Sequence, residues 1–264
     1  MAELIVGGFH RSGTSLLTEL LHRAGLFVGD DLLGALPSNP YGHFEDKEVL
    51  RIHDRILRDN GLNWQVDRPF IPYIDASRWR AMQDLVDRRR AAHRLWGFKD
   101  PRVCFFLPAW KHLLPGMKTI IVYRNPAESV ASLHRRQTSD LVHRRGNEES
   151  HRRFWAEPDF GLRMWLAHNQ ALAAFARAYP EDTLVLSFDA LAAGYPIVEQ
   201  SIDRLGVKLN PIPTFKVFDP TVTATETEVT YVYDSPMMRV VQATLDELHS
   251  MDETTRSEGY SIAT

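Results

Sequence analysis

Leu4-Ile5-Val6-Gly7-Gly8-Phe9-His10-Arg11-Ser12-Gly13-Thr14-Ser15-Leu16-Leu17 reads as a strand, a tight turn and the start of a helix. An apolar run ends in two glycines, and Leu16, Leu17, Leu20, Leu21 and Ala24 then recur at helical spacing up to Gly25. A strand–turn–helix of this kind gathers backbone N–H groups and the positive end of a helix dipole at one point, which suits an anion. Ser12, Thr14 and Ser15 add hydroxyl donors, and Arg11 adds a planar fork matched to phosphate or sulfate. The stretch almost spells the phosphate-binding pattern G-x-x-x-x-G-K-[ST], in which the Lys reaches the terminal phosphates. Here Gly8 and Gly13 stand at the right interval, but Thr14 occupies the Lys place. That substitution counts against an ordinary kinase.

The rest of the chain fits one α/β domain. Its 264 residues are 44% hydrophobic, enough for a sizeable core. A net charge of -3 shows no global bias toward nucleic acid or a membrane surface. A single Cys excludes an internal disulfide and a multi-Cys metal site. No secretory leader and no apolar run long enough to span a bilayer are read, so a cytoplasmic protein is expected.

Strands are expected over Glu3 to Gly8, Leu95 to Phe98, Lys118 to Tyr123 and Thr183 to Phe188, the second of these the shortest. Helices are expected over Ser12 to Ala24, Asp46 to Asn60, Ser77 to Arg90, Pro126 to about Arg136, Phe160 to Ala178, Tyr195 to Leu205 and Ser235 to about Met251. Leu36 to Gly42 is rich in turn formers and reads as a loop. Residues 137–157, crowded with Arg and His, read as a mobile loop or lid, and residues 252–264 as a disordered tail.

Phe9-His10-Arg11-Ser12-Gly13-Thr14-Ser15-Leu16 resembles the 5′-phosphosulfate loop of the sulfotransferase family, whose donor is 3′-phosphoadenosine 5′-phosphosulfate. Cytosolic members carry Lys at the place of Arg11, whereas the tyrosylprotein branch is similar to this chain in having Arg. The family's second signature, an Arg at a strand end with a Ser eight positions on, is matched by Arg124 and Ser132 after the strand KTIIVY. Taken alone, an Arg after a strand is an ordinary surface residue; coupled to the first loop, it is a signal. Ser129 reads as a packing residue. A third stretch, Trp96-Gly97-Phe98-Lys99-Asp100-Pro101-Arg102, resembles the WG(W/F)KDPR segment of bacterial sulfotransferases.

The resemblance implies a P-loop-like α/β fold with a central, mostly parallel sheet and helices on both faces. It implies direct in-line transfer of a sulfonate from 3′-phosphoadenosine 5′-phosphosulfate to a hydroxyl, or as second choice an amine, of a small-molecule, glycan or lipid acceptor, with no metal required. Arg11, Ser12, Gly13, Thr14 and Ser15 are then the 5′-side donor contacts, and Arg124 and Ser132 the 3′-phosphate contacts. Lys99 matches the Lys that touches the sulfonate. Pro101 stands where cytosolic members keep their catalytic His, so the base must come from elsewhere. Branches lacking that His use a Glu after the first helix, which points to Glu45 as the base. The alternative for Glu45 or Asp46 is a helix cap; His43 is the reserve base. Asp100 is expected to be the structural partner of Lys99 and Arg102, and His53 a packing or surface residue.

The resemblance thins after about Arg136. The basic segment that many members place over the 3′-phosphate is missing from Phe218 to Thr225. Arg135, Arg136, the 137–157 segment or, less well, Lys216 are the candidates to replace it. Phe44, Trp64, Phe70, Tyr73 and Trp155 are candidate acceptor-side aromatics, with core or rim packing as the alternative. The Lys-Thr-Val-Glu dimer pattern of cytosolic members is absent. Two rival readings stay open. One is a P-loop kinase using Asp189 as metal-binding acid; the other is a nucleotide-binding module without chemistry.

Overall fold

Leu4, Ile5 and Val6 can all be apolar because their strand is buried on both faces. In the computed structural model, which describes residues 1–34, 42–214 and 235–255, this strand is β1 (Ala2–Gly7). It pairs in parallel with β2 (Leu95–Lys99) on one side and β3 (Lys118–Tyr123) on the other. A further strand, β4 (Thr183–Ser187), pairs in parallel with β3, so the sheet runs β2-β1-β3-β4.

The flanking helices are α1 (Thr14–Arg23), α2 (Lys47–Asp59), α3 (Ala76–Ala92), α4 (Leu107–Leu113), α5 (Pro126–Val142), α6 (Glu148–Ala156), α7 (Phe160–Ala178), α8 (Phe188–Ala192), α9 (Ile197–Leu205) and α10 (Ser235–Ser250). Successive strand residues face opposite sides of a sheet. Leu4, Val6, Ile120, Val122, Leu184 and Leu186 therefore form one core with α1, α8 and α9. Ile5, Phe98, Ile121, Tyr123 and Val185 form the other with α2, α3, α4, α7 and α10. Gly97 belongs to the second of the motif-bearing strands because β1 runs so close: a Cβ there would lie 1.8 Å from the Leu4 carbonyl oxygen.

This order places the site. From β1 the chain goes to β2 on one side, then returns to β3 on the other. The loops after β1 and β3 consequently diverge at the carboxyl edge of the sheet and leave a crevice between them. The phosphate-type loop and Arg124 are at those two edges.

Several expectations are corrected. The helix expected to end near Arg136 continues to Val142, and residues 137–157 are largely helical rather than a loop. Polar composition hid α6: it buries only His151 and Phe154, while Asn147 caps it by accepting the Ser150 N–H at 2.9 Å. Its two arginines pair one turn away, Arg152 with Glu148 and Arg153 with Glu157. The tail expected from residue 252 instead begins with Asp252 and Glu253 buried against the sheet edge. The short α4, α6 and α8 were not anticipated, nor was the 3-10 turn Pro101–Phe105. Residues 36–41, Lys216, 218–225 and 256–264, for which a loop, a replacement phosphate contact, a missing basic segment and a tail are expected, lie outside the described residues. Among the described residues no helix is long and apolar enough to cross a membrane.

Candidate active site

Gly13 sits at φ 88 and a Cβ there would lie 2.4 Å from the Phe188 ring, so the turn into α1 needs glycine on both counts. No side chain caps α1, which leaves its first-turn N–H groups for an anion. Arg11 adopts φ 65, a left-handed conformation costly for a residue with a Cβ. Its Nε donates to Ser132 Oγ at 3.0 Å, joining the loop to α5. Ser12 is fully buried, its N–H bonded to the Phe9 carbonyl at 3.2 Å and its Oγ without a protein partner. Thr14 is buried too, and its carbonyl accepts the Thr18 hydroxyl at 2.7 Å.

Arg124 lies at the end of β3, 8% exposed. Its Nη1 donates to the Arg11 carbonyl at 3.4 Å and its Nε to Glu128 at 2.8 Å, and its guanidinium stacks 4.3 Å over the Phe188 ring. Trp165 of α7 donates to the Arg124 carbonyl at 3.1 Å and so fixes the turn. Arg136 and Arg135 lie on the same α5 as Ser132. Burial first, and then the charges of Arg136, Arg124 and Arg135, push the Arg11 pKa down to about 10. Cations crowd together in this way where a polyanion is to be bound. The arrangement fits a nucleotide with two phosphate positions: the α1 N-terminus and Arg11 for one, Arg124 and Ser132 for the other. Ser129, by contrast, is fully buried and its hydroxyl has no partner.

Lys99 ends β2 with its Nζ buried, 2% exposed. It donates to Glu45 Oε1 at 2.7 Å and to Ser15 Oγ at 3.1 Å, bridging the loop and the carboxylate. Ser15 in turn donates to the His43 carbonyl at 3.3 Å. Glu45 is therefore not the cap of α2; Asp46 is, accepting the Glu48 N–H at 2.8 Å. The segment leading to it is held with Phe44 at φ 51. His43 Nδ1 lies 4.0 Å from Glu45 Oε1.

Asp100 meets the expectation for Arg102 but not for Lys99. It pairs with Arg102 and with His53, whereas Lys99 turns to Glu45. The His53 ring is fully buried, its Nδ1–H donating to Asp100 at 2.7 Å and its Nε2 accepting from Trp110 at 2.9 Å. This assigns the neutral tautomer. Burial pushes the Asp100 pKa up, but Arg102 and His53 outweigh it and hold the carboxyl well below the usual range. Asp100 is thus the anchor that aims Arg102 toward a neighbouring cavity.

That cavity, of about 580 Å³, is lined by Glu45, His43, His10, Trp64, Arg102, Arg136 and the start of α6, among others. It opens beside the Lys99–Glu45 pair. Of the five aromatics singled out in the sequence only Trp64 lines it. Phe70 and Tyr73 line a separate groove, and Trp155 packs edge-on to His134. Three cations of the 137–157 segment are paired: Arg145 with Asp140, Arg152 with Glu148, Arg153 with Asp67. Asp189, the rival kinase's candidate acid, is exposed on α8.

Two buried imidazoles beside the site give a testable pH dependence. Burial lowers the pKa of His43 and of His168 to about 4, against about 6.5 in an unfolded chain. Between those values only the unfolded state binds the protons, so stability falls as the pH drops through this window. The melting temperature is expected to decline already between about pH 6.5 and 5, above the carboxylate range. A flat profile there contradicts the assignment.

The sulfotransferase family model matches residues 3–207. Among solved structures, a sulfotransferase domain from the curacin biosynthetic pathway superposes with a TM-score of 0.53 at 15% identity, over 92% of this chain and 97% of that one. A sulfotransferase from Alicyclobacillus acidocaldarius gives 0.51 at 15% identity, over 95% of both chains. At that identity the two structures speak for the fold alone. No curated protein matches significantly.

Proposed function

The chain belongs to the sulfotransferase family, and from that premise we propose that it moves a sulfonate from 3′-phosphoadenosine 5′-phosphosulfate to a hydroxyl of a small-molecule, glycan or lipid acceptor. The observation that carries the donor assignment is the convergence of Arg11 and Arg124 between two loop-bearing strand ends, with an uncapped helix N-terminus between them. One cationic group per phosphate position is what a 3′,5′-bisphosphate requires.

In this reading the Glu45 carboxylate takes the proton of the acceptor hydroxyl as its oxygen forms the new bond to sulfur. The bond from sulfur to the phosphate oxygen breaks, and its electron pair leaves with adenosine 3′,5′-bisphosphate. Lys99 has three N–H donors, of which two serve Glu45 and Ser15. The third is available to the charge growing on the leaving oxygen. Arg11 stabilises charge but, with a pKa of about 10, gives up no proton at neutral pH. A sulfonate carries less charge than a terminal phosphoryl, so these groups suffice without a metal. The protein is taken to act in the cytoplasm on an acceptor other than nucleic acid.

The test is transfer of ³⁵S-labelled sulfonate from the donor to a panel of hydroxyl acceptors, beside labelled phosphoryl from Mg²⁺-ATP. Labelled sulfate esters support the reading. Phosphorylated products overturn it in favour of a kinase.

A further inference from the structure

Asp252 lies beyond the residues that the family model matches and is 2% exposed. Its Oδ2 accepts the Tyr123 hydroxyl at 2.7 Å and the Ser187 N–H at 2.7 Å. Its Oδ1 accepts the Thr254 N–H at 2.9 Å and the Thr254 hydroxyl at 2.7 Å. All its bonds come from neutral donors, and no cation among the described residues pairs with it. A buried carboxylate without a counter-charge is costly and calls for a reason.

The reason lies in what its two strand partners precede. Tyr123 is followed by Arg124 and Ser187 by Phe188, and these two stack on each other at 4.3 Å. The Phe188 ring also closes against Gly13 of the loop. One oxygen thus ties the last residue of β3 to the last residue of β4, where the chain leaves the sheet to build the 3′ side of the crevice. The segment is secured on its far side by the Arg204–Glu253 pair and by Thr255, whose hydroxyl donates to the His249 carbonyl at 3.0 Å.

We propose that Asp252 is a positioning residue for the donor nucleotide, setting Arg124 and Phe188 for the 3′-phosphate through Tyr123 and Ser187. This rests on the donor reading above. It gives the C-terminal turn a share in nucleotide recognition without touching the ligand.

The experiment compares the dissociation constants of adenosine 3′,5′-bisphosphate and 5′-AMP by calorimetry, alongside melting temperatures, for wild type, Asp252→Asn and Tyr123→Phe. The ratio of the two constants isolates the 3′-phosphate, which a general loss of stability does not change. Wild type is expected to prefer the bisphosphate, and Asp252→Asn to shrink that preference about tenfold, the scale of one charge-assisted bond. Tyr123→Phe, which keeps the ring and removes one bond, is expected to shrink it less. In an Arg124→Ala background Asp252→Asn is expected to add little, since its effect runs through that residue. Variants with lower melting temperatures but an unchanged ratio overturn the proposal and leave the donor reading standing. A wild type without preference for the bisphosphate overturns both.

Discussion

Glu45→Gln is expected to lower kcat by about 10³-fold while leaving donor affinity near its wild-type value. The amide keeps the shape of the side chain and can still accept from Lys99 at the position Oε1 now holds, 2.7 Å away. What it cannot do is take a proton, and removal of a positioned base costs roughly 10² to 10⁴ in rate. Lys99, 2% exposed, loses its counter-charge in the variant. Some loss of stability is therefore expected as well, and the melting temperature must be measured beside kcat. The sharper reading is the pattern: donor binding kept, turnover lost. A variant that keeps more than about a tenth of the wild-type rate has its base elsewhere, and His43, 4.0 Å from Glu45, is then the residue to replace.

Arg11→Gly is expected to move stability and activity in opposite directions. Arg11 holds a left-handed backbone at φ 65, which costs a residue bearing a Cβ about 1–3 kcal/mol. Glycine adopts that conformation freely, and its removal of the side chain also ends the repulsion from Arg136, Arg124 and Arg135. The glycine variant should melt about 3 °C higher, the shift that about 1 kcal/mol produces in a chain of this size. Loss of the guanidinium fork should weaken donor binding by about 100-fold. Calorimetry and a melting curve on one preparation check both signs. A variant that is both less stable and weaker in binding shows that the loop is not strained for the ligand's sake.

Much of this architecture was legible in residues 4 to 132. The apolar run of β1, the glycine turn and the leucine spacing of α1 specify a strand–turn–helix locally. KTIIVY followed by Arg-Asn-Pro specifies the second one. The two are brought to one crevice by the strand order, which no local pattern encodes, yet both motifs lie at strand ends and only one edge of a parallel sheet holds strand ends of that sense. Lys99 and Glu45 were each singled out, but their 2.7 Å contact joins residues 54 apart in sequence and could not be read from either.

The misses have a common cause. α6 buries only two side chains and is otherwise polar and charged, so its composition resembles a solvated loop. Asp252 resembles any acid in a polar tail until Tyr123 and Ser187 are seen to reach it. Asp100 stands next to Lys99 in sequence, but it continues β2 in extended backbone for one residue, and adjacent residues of an extended chain point to opposite faces. Besides the expected Arg102 it meets His53 on α2, and an apolar-face histidine shows no sign in sequence of the Trp110 bond that fixes its tautomer.

A site for a 3′-phosphorylated nucleotide is tested by the melting temperature of the purified protein titrated separately with adenosine 3′,5′-bisphosphate, 5′-AMP and Mg²⁺-ATP. A ligand at a hundred times its dissociation constant adds about 2.7 kcal/mol to stability. Stabilisation by the bisphosphate, weaker with 5′-AMP and lost in Arg124→Ala, is the predicted result. Stabilisation by Mg²⁺-ATP alone, or by none of the three, contradicts it.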